Sequence, residues 1–590
     1  MMPQQNTLTE PLTQQIGTST VTLTEKEFTI SIPRTSWTKK QWNGLFNTVF
    51  QLIVSSLAWV TAPSRASSSS TDEGQPRWKL MTIDGISSLL FALLIRPTHP
   101  LRKLFNAIDW AEIDERCAAV YKNDKQGAPA YPPQVLFRIL VLMFYSGTPF
   151  ESATLLRLET DVAWRWFSGL NMLVIVPNAG TLSRFRSRVG RELFEEILRE
   201  LIVTCDKAGL ISHEESYYDM TGVQASATQV TPYQRAVILA RALSVYLDKS
   251  QGGVGTIDEQ QIGAIALEVL QEKHPSLEKV SPEQIIHSQN KVEEKVDRPE
   301  QNDSRWWQRI TQKIGELKER AKGGSKVTID SLRQTASELI PVLPQSFGNP
   351  DASVGHTRTD GTLCGYRSGF LVDAKRFIIT AVVFVNLSTG EACTAITALD
   401  KHYALFGRYP KRLGLDSAFD RDEVHRYTEE NNIYSGITIR SRPGAAGVFH
   451  ADKFVWNDQG QLICPNGKVM EQAGGPYKNG NVRYRCQGEC IHCPLVGKCL
   501  TDKQQEKENP RWELQTNPAA HQRAQRNRER SQSPEGKAIR RQRFAAEGVF
   551  GHVNHFHNGD KAPYRDEEMD NIAQIMVAFV SNLEKLATST

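Results

Sequence analysis

The chain has 590 residues, 40% of them apolar and 23% charged, with a net charge of +4 and nine cysteines. That length suits about three or four domains, and the balance excludes a disordered chain and one whose total charge alone would attract an anionic partner. An odd cysteine count, with four cysteines inside 486–499, speaks for a reducing compartment and a metal cluster over a disulfide framework.

Residues 1–80 read as a leader and flexible linker. Residues 1–35 are polar without an early apolar core, so no signal peptide is expected. The run LFNTVFQLIVSSLAWVTA at 45–62 nearly reaches spanning length, but Asn47, Thr48, Gln51, Ser55 and Ser56 dilute it. We expect an interfacial or buried helix there, and no membrane partner. SRASSSSTDEGQPR follows with linker composition.

From 81 to 210 the pattern is helical. YPPQVLFRILVLMFYSG opens with Pro132 and Pro133 in a first turn and closes near Gly147; PFESATLLRLETDVAWRWFSGL continues as a second helix. A third helix starts near Thr181, a candidate cap, and carries Arg184, Arg186, Arg188 and Arg191 on its first turns. Three helices with a basic third one suit a helix-turn-helix-like DNA reader, with a solvated helix face as the alternative.

ESYYDMTGVQASATQ, at 215–229, reads as a strand ending near Asp219. Residues 235–345 are polar, charge-rich and helical in pattern, an insertion. GYRSGFLVDA, RFIITAVVFVNLS and EACTAITALD then read as strands, followed by a helix around 400 and the buried strand RLGLDSAFD, which ends at Asp416. A helix at 421–430, the strand SGITIR, a cysteine-rich knuckle at 460–500, a basic stretch and an amphipathic C-terminal helix bearing Met569, Ile572, Met576, Phe579, Leu583 and Leu586 complete the chain. Strands interleaved with helices predict an α/β domain over 211–590 with a central mixed sheet.

Three carboxylates stand out: Asp219 and Asp416, each at the end of an apolar strand-like segment, and Glu547, which follows the basic run Arg540, Arg541, Arg543. A carboxylate at a strand end points in a fixed direction and offers the hard oxygen that Mg²⁺ prefers. Cys486, Cys490, Cys493 and Cys499, spaced C-x3-C-x2-C-x5-C, can wrap one tetrahedral zinc, with His492 or Cys464 as alternative ligands and reduced free thiols as the other reading. Residues 511–543 hold nine Lys or Arg against three Glu, a local excess able to neutralise DNA phosphates. His552, His555 and His557 in GHVNHFHNGD suggest a metal cluster, but are read as DNA-facing or surface groups.

YYDMTGVQASAT, GYRSGFLVDA, LGLDSAFD and SPEGKAIRRQRFAAEGVFGHVNHF, in this order, resemble the catalytic segments of bacterial insertion-sequence transposases of the DDE type, and YPPQVLFRILVLMFYSG with TLSRFRSR resembles their N-terminal helical region. The resemblance covers roughly 85–590. It implies an RNase H-like core in which Asp219, Asp416 and Glu547 bind Mg²⁺ or Mn²⁺, and an enzyme that cleaves element ends and joins them to target DNA. It also implies DNA contacts by the arginines around Arg543, a homodimer on double-stranded DNA and a place at the nucleoid in a bacterial cytoplasm. Two positions depart from the family pattern: Arg540 replaces a tyrosine, and Asn554 replaces a lysine seven residues beyond the glutamate. Each is a DNA-contact position rather than a metal ligand. A DNA-binding protein that has lost cutting, and a metal nuclease without strand transfer, remain as alternatives.

Overall fold

The structure, a computed structural model, describes residues 12–16, 19–23, 28–31, 78–79, 85–121, 129–148, 150–172, 174–248, 257–288, 305–320, 327–357, 361–439, 448–486, 490, 492–507 and 510–589. The apolar run at 45–62 and the linker at 64–77 lie outside the described residues, among which no helix is long and apolar enough to cross a membrane. The chain divides into two compact units, one of Met1–Ala208, His555–Asn558 and Ile575–Thr590, the other of Gly209–Asn554 and Gly559–Gln574.

In the first unit, β1 (Leu12–Ile16), β2 (Ser19–Leu23) and β3 (Phe28–Ser31) form an antiparallel meander within the stretch read as a leader. The alternation Thr20, Val21, Thr22, Leu23 and Phe28, Thr29, Ile30, Ser31 is the period of two that such strands need. Among the described residues seven helices follow: α1 (Gly85–Leu94), α2 (Pro100–Asn106), α3 (Ala111–Ala118), α4 (Pro133–Tyr145), α5 (Glu151–Thr160), α6 (Val162–Ser168) and α7 (Ala179–Lys207). Pro133 occupies the first turn of α4, which is buried on all sides from Val135 to Phe144. The stretch expected to form one helix after Gly147 is two, because the Asp161 carboxylate accepts the Trp164 N–H at 3.1 Å and caps a new start. Asn178, not Thr181, caps α7, accepting the Thr181 N–H at 2.8 Å, and Gly190 (φ +73°) kinks the helix.

In the second unit, β4 (Glu215–Ala225) and β5 (Thr228–Gln229) lead into helices α8 (Pro232–Asp248), α9 (Glu259–Gln271), α10 (Arg305–Arg320) and α11 (Ile329–Leu339), and β6 (Ser346–Phe347) returns. The four helices share their own core, including Ile238, Leu243, Ile265, Leu270, Ile310 and Leu339, while β5 and β6 pair antiparallel at its base. Then come β7 (Ser353–Thr357), β8 (Gly361–Asp373), β9 (Ile379–Asn386), α12 (Glu391–Phe406), β10 (Arg412–Leu415), α13 (Asp422–Glu430) and β11 (Tyr434–Ile437). The mixed sheet runs β11-β10-β4-β8-β7, with β9 also on β8; β10 is parallel to both β4 and β11, and β8 is antiparallel to β4. Tyr218, Leu371, Ala381, Leu413 and Leu415 make its core with Ala395, Ala398 and Leu399 of α12.

Two sequence expectations are corrected here. EACTAITALD is helical, the first half of α12: Thr394, Ala395, Ala398, Leu399 and His402 recur at helical spacing and are its buried face. The strand bearing Asp219 does not end there but continues to Ala225, because β8 pairs with it through Gln224 while β10 stops at Leu415, opposite Tyr218.

The remaining elements are β12 (Val455–Trp456), β13 (Leu462–Ile463), β14 (Met470–Gly474), β15 (Val482–Cys486), α14 (Val496–Cys499), α15 (Asp502–Gln505), β16 (Glu513–Thr516), α16 (Pro518–Gln532), α17 (Pro534–His557), β17 (Lys561–Ala562) and α18 (Glu567–Ser589). β14, β15 and β16 form a small antiparallel sheet, and β17 adds to the end of β4.

Candidate active site

Because Leu415 pairs with Tyr218, the next residue, Asp416, falls in register beside Asp219. The third carboxylate arrives on α17, which is laid on the sheet by small and specific contacts. Ile539 lies over Gly414 and Gly436, where a Cβ on Gly436 would come within 2.8 Å of Ile539 Cγ2. Tyr217 donates its hydroxyl to Gln542 Oε1 at 3.0 Å, Phe370 packs on Phe550 with ring centres 5.3 Å apart, and Asn554 Nδ2 donates to Thr221 Oγ1 at 3.2 Å. Ile539, Arg543 and Glu547 follow one another at steps of four residues, so they share one face of the helix.

Asp219, Asp416 and Glu547 thus line one cavity of about 920 Å³. Arg543 bridges two of them, donating to Asp219 Oδ2 at 2.7 Å and to Glu547 Oε1 at 2.8 Å. Burial pushes the Asp219 carboxyl up to about 6; the Met220 N–H and Arg543 pull it down, and the charges of Asp416 and Glu547 push it up again. Lining one cavity, the three carboxylates carry more negative charge than one guanidinium offsets, and although their oxygens do not all lie within 4.8 Å of one another, hard oxygens are the donor set of Mg²⁺ or Mn²⁺. The residues therefore fit a divalent cation.

The same cavity is lined by Arg367, Glu391, Arg421 and Glu423, which sequence reasoning did not single out. Arg367 lies opposite Gly222 in the β4–β8 ladder and holds Glu391 at 2.8 Å. The signal for it was present, a lone cation in the otherwise uncharged strand segment GYRSGFLV.

Several predicted DNA-contact residues serve other ends. Arg186 is buried in an ion pair with Glu151, which removes its guanidinium from any DNA surface. Arg184 is exposed, and Arg188 stacks over the Tyr121 ring at 4.5 Å. Arg540 donates to Ser531 O at 2.7 Å and so closes the carbonyl end of α16, whereas Arg541 is exposed. Of the basic stretch, Arg523 grips Asp422 with two bonds of 2.7 Å, and Arg526 and Arg530 both hold Glu429, fixing α16 against α13. His557, read as a DNA-facing or surface group, is fully buried between Phe144 O and the Glu584 carboxylate.

Two family models match the chain: Transposase domain (DUF772) over residues 90–188, and Transposase DDE domain over residues 463–587. The first falls on the helical region and the second spans the helix that bears Arg543 and Glu547. These matches support an insertion-sequence transposase of the DDE type. Proteins of that class act on DNA and generally use a divalent metal. No curated protein and no solved structure matches the chain significantly.

Proposed function

We propose that the protein is an active transposase that cleaves the ends of its own mobile element and joins them to target DNA, with Asp219, Asp416 and Glu547 as ligands of Mg²⁺ or Mn²⁺. The observation that carries this reading is the meeting of three carboxylates, remote in sequence, around one cavity with Arg543 between two of them. When bound, the cation would activate a water or a 3′-hydroxyl and stabilise the departing oxygen of the phosphodiester.

The chain's own residues do the rest. The sheet register brings Asp219 and Asp416 side by side. Glu547 is more exposed and rides on a helix, which suits a ligand that completes the site once DNA is present. Arg543 holds the carboxylates before the cation arrives and, with Arg541, offers the planar fork that pairs phosphate oxygens. Arg367 and Arg421 add positive charge on the cavity's other walls. We read 211–590, most of which lies in the second unit, as an RNase H-like core, and the helices of 81–210 as the DNA-binding domain, with the exposed Arg184 facing the duplex. Two element ends must be processed together, so a homodimer on DNA follows, acting at the nucleoid in a bacterial cytoplasm.

The test is an assay of element-end duplex with Mg²⁺ and a supercoiled target, scored for both nicked and joined products, with Asp416→Asn in parallel. The reading predicts both products for the natural protein and neither for the variant. Nicking without joining would leave a metal nuclease, and binding without nicking would leave a DNA-binding protein.

A further inference from the structure

We propose that Arg367 and Arg421 form a second phosphate seat in the cavity of the three carboxylates, holding the DNA strand a few nucleotides from the phosphodiester that is cut, and that Glu391 keeps the place of that phosphate until DNA arrives. Such a seat rests on the proposed function, whose DNA strand it would hold.

The cavity opens where neighbouring strands stop short. β10 ends at Leu415, opposite Tyr218, and β17 joins β4 only at Gln224, so among the described residues β4 has no partner strand on its side away from β8 between Asp219 and Val223. Asp219, Met220, Thr221 and Gly222, four residues in succession, line the cavity. Successive side chains of a strand alternate between its faces, so the cavity reaches both faces of the sheet at this notch.

The two faces carry different chemistry. Thr221, paired with Ser368, lies on the face that α17 covers through Asn554. Gly222, paired with Arg367, is one residue on and belongs to the other face, with Tyr218 and Leu371, which pack on α12. Arg367 therefore stands across the sheet from the helix of Glu547, at a station about 10 Å along β4 from Asp219, the axial rise of about three nucleotides of one strand. Gly222 puts no side chain beside it there.

Arg421 lines the same cavity from the loop that follows Asp416. It is exposed and, among the described residues, forms no ion pair. Its backbone is nevertheless fixed: its N–H donates to Phe419 O at 2.8 Å, its carbonyl accepts the His425 N–H at 3.1 Å as α13 begins, and Arg523 grips the next residue, Asp422. A free guanidinium on an anchored backbone beside a phosphodiester site suits an incoming phosphate.

Arg367 has a partner, Glu391 of the first turn of α12, at 2.8 Å, with the two side chains 21% and 30% exposed. An ion pair that wet contributes little to stability, and a phosphate offers the same guanidinium two oxygens in place of the carboxylate. Because Glu391 and Glu423 line this wall and offset its two arginines, a strand is seated by displacing Glu391.

The experiment is binding of a labelled element-end duplex by the full chain in the presence of chelator, titrated over a range of salt. Arg421→Ala should lower affinity about tenfold at about 0.1 M salt and flatten the slope of log affinity against log salt by about one, the loss of one phosphate contact, with melting unchanged. Arg367→Ala should do the same. Glu391→Gln should raise affinity, because it removes the competitor and leaves Arg367 free. An ion pair that merely ties α12 to β8 predicts instead that Glu391→Gln weakens binding as Arg367→Ala does. That result, or unchanged salt slopes in both arginine variants of a protein that binds, overturns the seat and leaves the nuclease reading standing. A natural protein that does not bind element ends overturns both.

Discussion

Gly436→Ala is the substitution that probes most sharply how Glu547 is held. A methyl at that position would meet Ile539 Cγ2 at 2.8 Å and Ile539 Cβ at 3.0 Å, with Gly536 O at 3.5 Å. Contacts that close force the helix to lift, and overpacking of this kind costs about 1–3 kcal/mol. Ile539→Ala, at a site only 1% exposed, removes the opposing atoms and costs about 2–4 kcal/mol by itself. The double variant relieves the clash, since the alanine methyl enters space the isoleucine vacates, so its destabilisation falls short of the sum by about 1 kcal/mol or more. At roughly 2 °C per kcal/mol for a unit of this size, the non-additivity is readable as a melting-temperature cycle of four full-length proteins. Cleavage of element-end DNA is measured beside it. Because Arg543 and Glu547 lie one and two helical steps beyond Ile539 on the same face, Gly436→Ala should reduce cleavage more than its melting shift explains, with part of the loss recovered in the double variant. Melting shifts that simply add, or a neutral Gly436→Ala, would refute the account of how α17 is seated.

Arg186→Ala leaves the Glu151 carboxylate buried without its guanidinium, so melting should drop by the equivalent of about 3 kcal/mol, whereas Arg184→Ala should leave melting unchanged and weaken binding to DNA; a filter-binding titration and a melting curve of each variant check both halves. Asp570 is fully buried and bonded to the Tyr564 N–H and Asn349 Nδ2, and burial pushes its carboxyl up to about 7. The folded state therefore keeps a proton that the unfolded chain releases near pH 4. The contribution, on the order of 4 kcal/mol at most, is fully present below that pH and is lost as pH rises through about 7. Melting of the natural protein should fall between pH 6 and 8 more steeply than that of Asp570→Asn; parallel profiles would contradict this.

Much of the site was legible because its chemistry is local. Asp416 follows an apolar strand, and the step of four from Ile539 to Arg543 to Glu547 puts an anchor, a cation and a carboxylate on one helix face, which is why an acid ends the most basic stretch of the chain. The pairing partners were not legible. Arg523 and Asp422 are 101 residues apart, as Arg540 and Ser531 are not, yet nothing in either neighbourhood distinguishes a structural arginine from one that meets phosphate. Arg186 reads like Arg184 and Arg188 until Glu151 of a neighbouring helix is placed against it. EACTAITALD misled because its β-branched Thr394, Ile396 and Thr397 suit a strand, while the alanines between them allow a helix to lie close on the sheet. Asn554 departs from the family pattern, and its bond to Thr221 shows a use for the amide in anchoring α17 beside Asp219.

The central claim is that Glu547 completes a metal-dependent site with Asp219 and Asp416. Glu547→Gln keeps the side chain's shape and removes its charge, and the most direct measurement is Mg²⁺-dependent cleavage of an element-end duplex by this variant, with DNA binding titrated on the same preparation. Cleavage abolished while binding is retained is the predicted result. Cleavage at the natural rate would contradict the assignment.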